Sequence, residues 1–314
     1  MGSIEERILK KAKVPRLLEL LAEDLSPTDL QSLLLAVYRR MTGQRKPAQV
    51  QAAFAADRFV TPSPISPVRL LNWEQTAYKA LPEDFEALLL SPVSPLGTSS
   101  VVGGINQNRV LTTCRNNEVN SDPTNTLALV CAQRRLQLLK QSPKSKHPVH
   151  LATAQRVVRA EKYSNPNFYS HFSLFALCSS ARDPGSHRFE LDTLRQHLGI
   201  HIRAITDFLD EECRMRVLVS DFSGQIPQSK MEDLLLTPLN DTHPNLEASL
   251  DPTRTQALGY YLNLCFKLQI YLPAAREWRE VGDGGAVDWT RKLMGNAKER
   301  CVISGLGSDH LCQM

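Results

Sequence analysis

No run of apolar residues in this 314-residue sequence reaches the roughly 18 that a membrane-spanning helix needs. Charge of one sign is also scarce: 37 Lys and Arg stand against 33 Asp and Glu, for a net charge of +4. Such a balance permits contact with nucleotides or nucleic acid without arguing for it. The seven cysteines (114, 131, 178, 213, 265, 301 and 312) are odd in number and never spaced as Cys-x-x-Cys. This argues against a structural zinc site and a disulfide framework. Most of the cysteines sit in apolar runs, as reduced buried thiols do, so a cytoplasmic setting is expected. His197 and His201 lie four apart on an expected helix, and His147 and His150 lie close together, but neither pair has a third ligand nearby. No metal site is expected from them. Internal repeats and low-complexity tracts are absent too. The first residues read as the start of an amphipathic helix rather than a signal peptide.

What is present is ordinary globular composition, 42% hydrophobic and 22% charged. A chain of this length can bury roughly three quarters of its unfolded surface. Residues 4–60 read as helical. Ile4, Ile8, Leu9, Leu17, Leu18, Leu20 and Leu21 form an apolar stripe, and Ser26-Pro27-Thr28-Asp29 supplies a cap with Pro at the first helical position. The basic residues of this segment, among them Lys10, Lys11, Arg16, Arg39 and Arg40, read as the solvated face of a small bundle or arm. A nucleic-acid-binding or partner-binding appendage is the alternative. Pro62, Pro64 and Pro67 break the helical region, so the expected division is a helical segment over 1–60 and a core over 61–314.

In the core, helices are expected over 68–80, 124–139 and 189–209. Strands are expected over 85–90, 215–221, 260–271 and 301–305, with a hairpin around Asn106-Gln107-Asn108. Residues 224–242 read as an exposed irregular segment. Strands come in clusters separated by helices rather than in strict alternation. The expected class is therefore α+β, a mostly antiparallel sheet flanked by helices.

The stretch Arg156-Val-Val-Arg159-Ala-Glu161 reads as a strand, and His171 to Cys178 as its partner across a polar loop at 162–170. Side chains alternate along a strand, so Arg159 and Glu161 share a face. A guanidinium beside a carboxylate is a clamp for a group that is anionic at one end and cationic at the other. A second polar cluster runs from Thr113 to Asn125 and contains Arg115, Glu118 and Asp122. Asp122 or Ser121 can cap the helix that follows, with Pro123 at its first position. Equally, the helix start and Arg115 can receive an anion, and Glu118 and Asp122 can take Mg²⁺ or a substrate ammonium.

Four segments in this order resemble the catalytic core of class II aminoacyl-tRNA synthetases. The likeness is closest to the branch of histidyl-tRNA synthetase and the ATP phosphoribosyltransferase regulatory subunit. Ser94-Pro-Leu-Gly97-Thr98 resembles the branch's Arg-Pro-Glu-Gly-Thr turn, and residues 156–175 resemble the second class-defining motif. Leu258-Gly-Tyr260-Tyr261 resembles Leu-Asp-Tyr-Tyr, and Gly284-Gly285 resembles the start of Gly-Gly-Arg-Tyr-Asp. Gly305-Leu-Gly-Ser-Asp309-His310 resembles the third motif. Two arginines of the family are replaced, by Gln256 and His310.

The resemblance implies nucleotide contacts from Arg159, Glu161, Phe172, Asp309 and His310, with Arg159 and Glu161 as the catalytic pair. It assigns substrate contacts to Gly97, Thr98, Tyr260, Tyr261, Gly284 and Gly285, to which the polar cluster adds Arg115 and Glu118. ATP and Mg²⁺ are the implied cofactors, and a homodimer formed through residues 68–90 is the implied assembly. No anticodon-binding domain is expected. Forming an acyl-adenylate brings a carboxylate against the α-phosphorus of ATP, so arginines must stabilise two approaching anions. Neutral Gln cannot stand in for a guanidinium, and His is only partly charged near pH 7. The expected function is a stand-alone synthetase-like protein that binds a nucleotide and a small amino or carboxylic acid, with adenylation as its reaction. A non-catalytic regulatory or scaffolding relative is the second reading and a nucleic-acid-binding module the third.

Overall fold

The computed structural model describes residues 3–161, 169–209 and 213–314. Residues 162–168 of the expected polar loop lie outside the described residues.

The chain opens with α1 (Ile4–Ala12), α2 (Leu17–Glu19), α3 (Pro27–Thr42) and α4 (Pro47–Ala56). Ser3 and Ser26 cap α1 and α3 by accepting hydrogen bonds from Glu6 N and Asp29 N, and Pro27 and Pro47 occupy first positions where no intrahelical donor is lost. None of these four helices buries a side chain. They form an arm without a core of its own, tied down at few points. Asn116 Nδ2 donates to Pro27 O at 3.2 Å, and the Arg58 guanidinium donates to Glu161 O.

Past the prolines, α5 (Pro67–Lys79) buries Trp73 and Ala77. Strands β1 (Phe85–Ala87), β2 (Val93–Pro95) and β3 (Asn117–Val119) precede α6 (Pro123–Gln141). Then follow β4 (Val149–Val158), β5 (His171–Arg182), α7 (Arg188–Leu209) and β6 (Met215–Asp221). Helices α8 (Gln228–Met231) and α9 (Thr237–Thr242), then β7 (Leu246–Leu250), β8 (Leu264–Leu272) and β9 (Glu277–Val287), lead to α10 (Trp289–Met294), β10 (Glu299–Gly307) and α11 (Ser308–Cys312).

Eight strands form one sheet in the order β1-β4-β5-β10-β9-β8-β6-β7. Only β1 with β4 and β6 with β7 pair in parallel; the other pairs of this sheet are antiparallel. The α+β, mostly antiparallel class expected from the sequence is the one observed. Alternation along β5 divides the core. Phe175 and Leu177 pack in the cluster with Trp73 of α5 and Leu191, Leu194 and Leu198 of α7, whereas Ala176 and Cys178 pack with Leu127, Ala128 and Cys131 of α6. Helix α6 is capped as the sequence suggested: Asp122 Oδ1 accepts from Thr124 N at 2.9 Å, and Pro123 takes the first position.

Several expectations need correction. Residues 106–108 make no hairpin: Gln107–Arg109 is a 3₁₀ turn, and the Asn106 side chain accepts from Asn108 N at its start. Residues 224–242 are not irregular and exposed. They hold α8, a π-turn and α9, and they bury Met231, Leu235, Leu236 and Leu239 in the α7-side cluster. Pro238 lies in the first turn of α9, where a missing N–H costs little. Strands β7 and β9 escaped the sequence reading. The glycines of β9 remove the side-chain alternation that reveals a strand.

Candidate functional site

Beyond the end of β4 the chain passes one end of β5, β10 and β9, where α6, α11 and the turn before β8 also converge. They enclose a cavity of about 570 Å³. Arg159 and Glu161 both border it, but not by strand alternation: they lie past the strand, which ends at Val158. They do not clamp each other. Arg159 Nε donates to Ser121 O at 2.9 Å, its Nη2 lies 3.4 Å from Asp122 Oδ2, and its guanidinium stacks over the Phe172 ring at 5.1 Å. Glu161 instead takes Arg109 at 3.3 Å.

On the α11 side, Asp309 Oδ1 accepts from Ser173 N at 2.9 Å and faces Arg156 Nη2 at 3.4 Å. Burial, reinforced by the Arg279 charge and opposed by Asp309, lowers the His310 imidazole below its usual range. His310 therefore borders the cavity as a neutral ring near pH 7.

The far wall consists of Tyr260, Tyr261, Gly282 and Asp283. Burial first, then the Asp122 and Asp283 charges, hold both phenols well above their ordinary range. Asp283 lines the cavity with its side chain 44% exposed. Desolvation raises its carboxyl to about 6, assisted by Glu280 and opposed by Tyr261 and Arg254. Gly282 permits this wall: a Cβ there would lie 2.3 Å from Gly305 O, so only glycine lets β9 and β10 approach.

The sequence singled out Gln256, but its Oε1 accepts a hydrogen bond from the Lys267 ammonium. The guanidinium next to Tyr261 belongs to Arg254, whose side chain is 2% exposed. Arg254 Nη2 lies 3.8 Å from Asp283 Oδ2, its Nε donates to Gln256 O, and its buried Nη1 has no hydrogen-bond partner.

Of the expected residues, Arg159, Glu161, Phe172, Asp309, His310, Tyr260 and Tyr261 meet at one cavity. Gly97, Thr98, Arg115, Glu118, Gly284 and Gly285 are not among the residues that border it. Glu118 is fully buried and spent on its own turn, accepting from Gly97 N at 2.8 Å, Ser99 N at 2.6 Å and Gln107 Nε2 at 3.1 Å. Burial by itself would raise the Glu118 carboxyl, but those donors hold it below the ordinary range. Glu118 thus shapes the turn at Gly97 and Thr98 rather than receiving a ligand. Gly284 and Gly285 are packed between strands: a Cβ at either would come within 2.7 Å of Phe266 and Ser304, or of Tyr261 and Cys265. Arg109, Glu280 and Asp283 were missed. An acid inside Gly282-Asp-Gly284-Gly285 was the available signal for Asp283.

Each acid of the cavity wall has a cationic neighbour: Asp122 with Arg159, Glu161 with Arg109, Glu280 with Lys267, Asp283 with Arg254, and Asp309 with Arg156. Among the described residues no group of three His, Cys, Asp or Glu side chains could hold a metal ion. The donor set is therefore not that of a pre-assembled Mg²⁺ cage.

The architecture is that of the class II synthetase-like core, a mostly antiparallel sheet with the cavity at one end. The chain is similar to the ATP phosphoribosyltransferase regulatory subunit/histidyl-tRNA synthetase of Bacillus halodurans C, with a TM-score of 0.58 and 13% identity over 86% of this chain and 83% of that one. Apo histidyl-tRNA synthetase of S. aureus gives 0.55 and 11% over 80% and 67%. The histidine–tRNA ligase subunit of Alicyclobacillus acidocaldarius gives 0.57 and 11% over 80% and 94%. No family model and no curated protein matches the sequence.

Proposed function

We propose that the cavity binds a small amino acid together with a nucleotide, in the manner of a class II synthetase core. The observation that carries this reading is the pairing of every wall carboxylate with a cation, because a zwitterion is the ligand that such a wall matches at both ends. The Arg159 guanidinium over Phe172 offers a flat shelf for a nucleotide base or phosphate. Asp283, beside the two phenols, suits the ligand's ammonium.

Adenylation is the reaction these groups would serve: a ligand carboxylate oxygen bonds to the α-phosphorus of ATP and pyrophosphate departs with the bond electrons. Arg159 would steady the developing charge, a contribution of roughly 3–4 kcal/mol when well placed. Mg²⁺ would supply charge neutralisation between phosphates, brought in by the nucleotide. A second reading, ligand binding without turnover, has its own support: His310 is neutral and Gln256 is engaged with Lys267.

ATP–pyrophosphate exchange across the amino acids, with thermal shifts in ATP, separates the two. Exchange that falls 100-fold or more in Arg159→Ala supports the enzyme. An ATP-induced shift lost in Arg159→Ala without any exchange supports the binding protein. No shift and no exchange would discard both.

We further propose a homodimer through residues 68–90. Val68, Leu71 and Leu89 are 78%, 68% and 97% exposed there, an apolar surface that a second copy would cover. Mass measurement in solution tests it.

A further inference from the structure

On the opposite face of the sheet a second cavity, of about 780 Å³, lies between the start of α7, α9 and the ends of β4 and β5. His150 stands at its floor, 8% exposed and stacked on Phe85 with ring centres 4.8 Å apart. Behind it runs a buried chain of alternating rings and hydroxyls. His150 Nδ1 to Ser179 Oγ is 2.7 Å, Ser179 Oγ to His197 Nε2 is 2.8 Å, His197 Nδ1 to Ser304 Oγ is 2.9 Å, and Ser304 Oγ to His201 Nε2 is 2.8 Å.

Two opposite proton orders satisfy every link, and the favoured one is that which does not leave a buried N–H on His201 without an acceptor. His201 Nδ1 is buried without a partner, so it serves as the bare nitrogen and Nε2 carries the proton to Ser304. Ser304 then donates to His197, His197 to Ser179, and Ser179 to His150 Nδ1. This leaves the His150 proton on Nε2. The closest carboxylate, Asp84, lies 3.8 Å from that nitrogen, beyond hydrogen-bond range, and is itself held by Gln196. Burial lowers the His150 imidazole first, with Asp84 opposing and His147 assisting, so the ring is a neutral donor. A nine-tenths-buried N–H thus meets a cavity that offers it, among the described residues, no hydrogen-bond acceptor within range.

Charge at the cavity mouth is complementary to an anion. Lys146, Arg188 and Arg195 border it on the α7 side and its facing loop; among the described lining residues the one acid is Asp192, shared between Arg188 at 2.5 Å and Arg195 at 3.7 Å, while Asp84 lies outside the lining. Pro184, Phe189, Pro238 and Leu239 supply an apolar wall, and the volume far exceeds a bare oxyanion. We propose that this second cavity binds a small organic phosphate, with His150 Nε2–H as the buried donor and Lys146, Arg188 and Arg195 as the cationic rim.

Phenyl phosphate, which carries a dianion on an apolar body, is the probe. Titration of the full chain by calorimetry at low ionic strength is expected to give one saturable site. Lys146→Gln/Arg188→Gln, both at exposed positions, should weaken it tenfold or more, and Arg159→Ala in the first cavity should leave it unchanged. Ser179→Ala, which removes the donor to His150 Nδ1, should weaken binding and redistribute the His150 tautomers seen by ¹⁵N NMR. No saturable binding, or binding indifferent to the Lys146/Arg188 pair, overturns the proposal. Binding lost only in Arg159→Ala also overturns it while leaving the nucleotide reading intact.

Discussion

Asp283 sets the character of the first cavity more than any residue legible as a motif. Its carboxyl is raised from 3.8 to about 6, so folding disfavours the charged form. The sign follows directly: below about 4 the group is neutral folded or unfolded, and as pH rises toward 6 the unfolded chain gains more from ionisation. Stability is therefore lost across that window and stays lost above it. Asp283→Asn should melt higher than wild type at pH 8 and equal to it at pH 3.5, as thermal denaturation at both values would show. Under the proposed amino-acid-binding reading, calorimetric titration should show weaker ligand binding in the same variant, the trade between stability and function that a ligand-facing carboxylate would carry. Arg254 is instructive beside it. Sequence spacing pointed to position 256, yet the turn at Ala257, with φ 64°, and at Gly259 carries Gln256 outward to Lys267 and Arg254 inward to Asp283. No rule of spacing encodes that swap.

Among the elements, α7 combines packing with polar wiring. Its leucines cover the sheet, while His197 and His201 thread between them to Ser304. Burial drops His201 from 6.5 to about 3 and holds His197 well below its usual range, where His201 and His150 add to the effect. A histidine depressed on folding stabilises above its unfolded value, and that contribution is lost as pH falls from 6.5 toward 3. For His201 the loss is on the order of 4 kcal/mol at the acid end. Urea midpoints should fall steeply between pH 6.5 and 4 in wild type and less steeply in His201→Leu. The sequence revealed the spacing of these histidines on a helix. It did not reveal that serines from β5 and β10 would meet them, because that depends on the pairing of strands far apart in the chain.

At the scale of the whole molecule, the two regions differ in kind. Residues 61–314 hold both apolar clusters and both cavities. The arm buries nothing, and helices of its lengths are marginal alone in water. Removal of residues 1–60 should therefore leave the core folded, with a melting temperature changed by only a few degrees, about what 1 kcal/mol is worth in a domain of this size. Calorimetry of the truncated and full chains would check it. A collapse of the truncated chain would mean that the arm's few ties, such as Arg58 to Glu161, stabilise the core.

The sequence by itself determined the fold class and the capped helices. These rest on local rules of periodicity, capping and ring constraint that act within a few residues. Tertiary structure alone decided which side chains meet. Asp122 reaches Arg159 across 37 positions, Arg109 reaches Glu161 across 52, and Ser304 reaches His197 across 107. Strand order and register set such meetings, and they arise from the packing of the whole sheet. For the same reason Glu118, polar and beside a helix start, folded into its own turn, while Asp283, hidden among glycines, came to line the cavity.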